Sequence, residues 1–65
     1  MRYFEFKFPT NLTVTFRIEL DNSVTTIYFR GEKRVNQIVE TDIYSYDESM
    51  LYILQKVEVL TIIYN

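Results

Sequence analysis

The chain has 65 residues, is 48% hydrophobic, carries a formal net charge of −2, and contains neither cysteine nor histidine. A chain of this length forms one domain, residues 1–65, and hides only about 60% of the surface its unfolded form exposes. The missing residue types exclude disulfides, thiolate zinc sites and the commonest general base, and the slight acidity argues against a dedicated nucleic-acid binder.

No apolar run reaches the roughly 18 residues that cross a membrane, and residues 2–8 alternate like a strand rather than forming a leader. The expectation is a soluble protein of a bacterial cytoplasm, with no membrane partner. The single glycine, single proline and absence of alanine, with many Ile, Tyr, Phe and Asn, match AT-rich codons. That bias suggests a low-GC bacterium or a phage or mobile element within one.

In chain order, Arg2 to Phe8 reads as the first strand, with Phe4, Phe6 and Phe8 on one face and Tyr3, Glu5 and Lys7 on the other. Pro9-Thr10-Asn11 reads as the turn, since proline lacks a ladder donor and asparagine tolerates positive φ. A three-residue loop sets Phe8 against Leu12, Phe6 against Val14 and Phe4 against Phe16, so that both apolar faces coincide. Leu12 to Leu20 gives the strongest signal of the chain, an apolar residue at every second position. Asp21-Asn22-Ser23 is the next turn. A tight Asn22-Ser23 loop pairs Ile18 with Ile27 and Phe16 with Phe29, and is preferred because one residue more turns Ile27 and Phe29 outward. The third strand, Val24 to Arg30, then presents Thr26, Tyr28 and Arg30 on the wet face, with Tyr28 opposite Arg17.

Gly31 to Arg34 reads as a basic turn. Beyond it the pattern weakens. Val39, Thr41, Ile43 and Ser45 share one face of a possible fourth strand. A hairpin returning from Met50 matches Val39 with Val57, Ile43 with Ile53, Tyr44 with Tyr52 and Glu40 with Lys56. Its rival is a short helix near 47–56, capped by the Ser45-x-x-Glu48 box. Val57 to Tyr64 reads as a strand in both versions. It is apolar at both parities, which calls for cover on both faces.

The fold class expected is therefore all-β, a small antiparallel five-stranded meander or barrel of SH3-like size. The alternative is α+β, a four-stranded antiparallel sheet with one short helix.

No catalytic residue, metal ligand or cofactor site stands out. The acids lie on wet faces or in turns, nothing implies the burial or pairing that separates carboxylate pKa values, and one glycine cannot build a phosphate loop. An enzyme is not expected. The wet-face set Tyr3, Lys7, Arg17, Tyr28 and Arg30 suits a protein contact, because Tyr and Arg are enriched at hot spots. The same row suits base stacking by a single-stranded nucleic-acid binder. Tyr44, Tyr52, Leu60, Ile62 and Tyr64 form the candidate self-association surface, implying a homodimer or higher oligomer. The leading function is a small non-enzymatic interaction module, such as a phage- or mobile-element-encoded inhibitor or accessory factor that binds a host protein. A nucleic-acid-binding barrel and a self-assembling structural subunit are the alternatives.

Overall fold

The computed structural model describes residues 1–64. Four strands, β1 (Arg2–Phe8), β2 (Leu12–Ile18), β3 (Val24–Arg30) and β4 (Lys33–Glu40), form an antiparallel sheet in the order β1-β2-β3-β4. One helix, α1 (Tyr46–Tyr64), follows. The architecture is the α+β alternative. The five-stranded barrel is not formed.

The first hairpin has the expected register, with Phe8 opposite Leu12, Phe6 opposite Val14 and Phe4 opposite Phe16. Thr10 and Asn11 both take positive φ, 63° and 62°, and so close a three-residue loop. Phe6 meets Phe16 edge-on, with ring centroids 5.9 Å apart. Gly31, at φ +64°, is tied to this same end of the sheet: its N–H donates to Asn11 O at 2.9 Å. A Cβ there would come within 3.0 Å of the Asn11 side-chain amide, so both backbone conformation and space favour glycine.

The second hairpin departs from expectation. Ile18 lies opposite Val24, Arg17 opposite Thr25 and Phe16 opposite Thr26. The loop is longer than the tight turn. Glu19 N–H donates to Ser23 O at 2.9 Å and Asn22 N–H to Glu19 O at 3.0 Å. Asn22 takes φ 73°, and Asp21 Oδ1 accepts from both the N–H (3.0 Å) and the hydroxyl (2.6 Å) of Ser23. A three-residue hairpin loop with a left-handed residue at its end, braced by an Asp side chain, is the local solution. Leu20 therefore leaves the apolar row and sits at the turn, 86% exposed.

The shift from the expected register is odd, so every side chain of β3 changes face. Val24, Thr26 and Tyr28 point to the helix side. Thr25, Ile27 and Phe29 point away from it. β4 starts directly after Gly31-Glu32, so Lys33 and Arg34 belong to a strand and not to a turn. An irregularity between Tyr28 and Phe29, opposite Asn36 and Arg34, leaves Val35 as the extra residue of a bulge. The fourth strand is thus Lys33–Glu40, and the expected Val39–Ser45 strand and its hairpin to Met50 are absent among the described residues.

α1 replaces both the hairpin and the last strand. Ser45 caps it, its Oγ accepting from Glu48 N–H at 3.1 Å. Asp47 and Glu48 in the first turn complement the positive end of the helix dipole. The helix continues through Val57–Tyr64, where β-branched residues favour a strand intrinsically but packing decides. α1 lies over β1 and β2. Ser49, Ile53 and Leu60 are its buried residues, with Met50, Val57 and Tyr64 packed beside them. Ser49 Oγ donates to Asn22 O at 2.6 Å, pinning the helix start to the β2–β3 loop. Arg2 donates to the Tyr46 hydroxyl at 3.0 Å, and the Tyr64 ring lies 6.5 Å from Phe8 at the other end. The core is Leu12, Val14, Phe16, Ile18, Val24, Ile43, Ile53 and Leu60.

Candidate interaction surface

The five residues expected to share one wet face are divided by the register. Tyr3 and Arg17 are opposite one another on the face away from α1, and both are exposed. Lys7 is on that face too, 3.4 Å from Glu5. Arg17 is not a free cation: its Nε donates to Glu19 at 2.7 Å, and the same carboxylate oxygen accepts from Thr25 Oγ1 at 2.9 Å. These two hydrogen bonds hold the Glu19 carboxyl below its ordinary range, Arg17 contributing most. Tyr28 lies on the opposite face, half-buried in the core margin. Burial, and then the neighbouring Tyr64 hydroxyl, raises its pKa. Arg30 is on Tyr28's side of the sheet and donates to Thr10 O (3.0 Å) and Thr10 Oγ1 (3.1 Å), bracing the first turn. The expected Tyr3–Arg17–Tyr28 row does not form.

The self-association set is divided as well. Tyr44 is 77% exposed in the β4–α1 connection, its hydroxyl donating to Asp42 at 2.5 Å. Tyr52 is half-buried on α1, so the Tyr44–Tyr52 cross-strand pair is not made. Burial raises the Tyr52 pKa most, followed by the negative charge of Glu40. Lys56 Nζ sits 5.2 Å from the Tyr52 ring centroid. Leu60 is core, 7% exposed, and cannot touch a partner. Tyr64 packs against the sheet. Of this set, Tyr44 and Ile62 stand out into solvent, 77% and 75% exposed, on separate elements.

What the helix does create is an outward apolar face. Leu51, Leu54, Val59, Ile62 and Ile63 are all exposed. Leu51, Leu54, Glu58 and Ile62 follow the spacing that makes one stripe, while Val59 and Ile63 continue the flank begun by Tyr52. Asp47, Glu48 and Glu58 punctuate this surface, and Lys56 is the sole basic residue of α1. Sequence reasoning assigned Val59, Ile62 and Ile63 to a strand needing cover on both faces, and Leu51 and Leu54 to a hairpin strand or a short helix. The signal for two-sided cover was present, but the element carrying it was misassigned.

Two further features flank the helix. An open groove of about 290 Å³ runs between β1 and the last turns of α1, lined by Phe6, Phe8, Pro9, Val57 and Tyr64, with Lys7 and Thr61. On the other side, β4 is left uncovered: all its residues except Glu40 are exposed. Among the described residues, no group of three or more acidic side chains gathers to hold a metal ion. Among them also, no helix is long and apolar enough to cross a membrane. No protein-family model, curated protein or solved structure matches this chain.

Proposed function

We propose that the protein is a small interaction module whose outward face of α1 docks into an apolar groove on another protein. The observation that carries this reading is the exposure of Leu51, Leu54, Val59, Ile62 and Ile63 on a helix whose opposite side already fills the core. A helix apolar on all sides is normally covered on all sides. Helix-in-groove docking uses apolar anchors at i, i+3 and i+4, spacings that Leu51 with Leu54 and Val59 with Ile62 and Ile63 provide, with Glu58 between the two groups. The acids Asp47, Glu48 and Glu58 call for a groove rimmed by Lys and Arg, and they disfavour an anionic lipid surface, which attracts basic helices. An inhibitor or accessory factor acting on a protein of a low-GC bacterial host is the concrete form, supported by the residue bias of the chain. The nucleic-acid alternative has less support, because Arg17 is engaged by Glu19 and Tyr28 lies on the other face.

The test is affinity capture from such a host lysate with the wild type and with Leu51→Glu/Ile62→Glu, each with and without nuclease. Both substitutions are at exposed positions, so the fold is expected to stay intact, which far-UV circular dichroism checks. One protein retained by the wild type, indifferent to nuclease and lost with the double variant, is the expected result. Retention that survives the double variant, or that vanishes with nuclease, rejects this docking mode.

A further inference from the structure

We infer that a second copy of this chain pairs with β4, edge to edge and antiparallel, extending the sheet across a two-fold axis. β4 is an eight-residue strand with one edge on β3 and, among the described residues, no neighbour on the other. Such an edge presents unpaired N–H and C=O groups and is ordinarily blunted or covered. Here it also exposes Val35, Ile38 and Val39. The bulge and the Lys33–Arg34 pair protect the beginning of the strand, but Asn36 to Glu40 pairs regularly with β3 and offers a flat stretch.

The charge order along this edge selects the occupant. Its beginning is basic, Lys33 and Arg34, and its end and exit are acidic, Glu40 and Asp42. None of these four belongs to an ion pair among the described residues, where the pairs are Lys7–Glu5 and Arg17–Glu19. A parallel copy stacks like charges on like. An antiparallel copy brings the basic beginning of each strand to the acidic end of the other, twice by symmetry. A two-fold axis perpendicular to the sheet at Ile38 sets Ile38 against its own copy, Gln37 against Val39 and Asn36 against Glu40. Arg34 then reaches Asp42. The product is a continuous eight-stranded sheet with both helices on one face. β4 is a different surface from the outward face of α1, so either contact stands without the other.

Sedimentation velocity of the full chain, from roughly 1 to roughly 100 µM, reads the association. The wild type is expected to pass from monomer to dimer, more weakly as salt is raised. Ile38→Lys, which sets two ammonium groups together at the axis, stays monomeric with an unchanged far-UV circular dichroism spectrum. Arg34→Glu weakens association by about tenfold or more, and Arg34→Glu with Asp42→Arg regains it. The exchange of charges decides the matter even where Ile38→Lys disturbs the spectrum. A wild type that remains monomeric throughout, a dimer indifferent to Ile38→Lys, or a charge-exchanged pair that regains nothing overturns the proposal. So does a dimer dissolved only by Leu51→Glu/Ile62→Glu, which places the second copy on α1.

Discussion

Asp21 and Asn22 decide which side chains of β3 face the helix. Asp21 Oδ1 accepts twice from Ser23, and Asn22 adopts the left-handed conformation that ends the loop. This local chemistry outweighs the gain from burying Ile27 and Phe29, which remain half-exposed on the far face. Thr26 goes inside instead, and its hydroxyl is buried without a hydrogen-bond partner. The inversion separates two substitutions that look alike in sequence. Arg17→Ala removes an exposed ion pair and should change stability by under about 1 kcal/mol. Tyr28→Ala removes a half-buried ring beneath α1 and should cost roughly 1–3 kcal/mol. Urea unfolding of the two variants beside the wild type checks the difference.

The same loop sets an acid limit. Glu19 is held ionised chiefly by Arg17, and Asp21 chiefly by the Ser23 hydroxyl and N–H. Both carboxyls have folded-state pKa values below their ordinary ones, so their contribution is complete above the ordinary carboxylate range. It is lost as pH falls through the lowered values. Thermal unfolding followed from pH 7 downward should show a falling midpoint, and Glu19→Gln with Asp21→Asn should flatten the slope. The first hairpin was legible at this scale because its faces and its turn chemistry agreed. The second was not, since matching the apolar faces favours a tight turn while the Asp21–Ser23 hydrogen bonds and the left-handed Asn22 close a longer one.

At the scale of elements, α1 shows how packing overrides propensity. The Ser45-x-x-Glu48 box announced a helix, and Ser45 does cap it. Val57 to Tyr64 reads as a strand by residue type, yet a helix of 19 residues spans the sheet and places Leu60 and Tyr64 on it. Residues apolar at both strand parities are also apolar all round a helix, and periodicity alone does not separate the two. Ser45→Ala should lower stability by about 1 kcal/mol, the ordinary worth of such a cap, and helical circular dichroism should melt at a lower temperature. β4 was hidden for a related reason. The bulge at Val35 breaks the period of two, so that Lys33 and Arg34 read as the end of a turn.

On the scale of the whole molecule, one helix lies over β1 and β2, and the buried Val24 and Thr26 carry the core onto β3. A sheet of this size buries one face against α1, and the cover stops short of β4. Apolar side chains are left outside on α1 (Leu51, Leu54, Val59, Ile62, Ile63) and on β4 (Val35, Ile38, Val39). The proposed contacts with other molecules rest on that asymmetry. The expected Tyr–Arg–Tyr platform does not form, because the register puts Tyr28 on the helix side of the sheet; the exposed apolar residues lie on α1 and β4 instead.

The most direct measurement is site-specific photo-crosslinking in host lysate, with the crosslinking side chain placed in turn at positions 3, 51 and 62. Positions 51 and 62 should give one common adduct of defined mass, and position 3, on the far face of the sheet, should give none. An adduct from position 3 alone, or none from 51 and 62, would contradict the role assigned to α1.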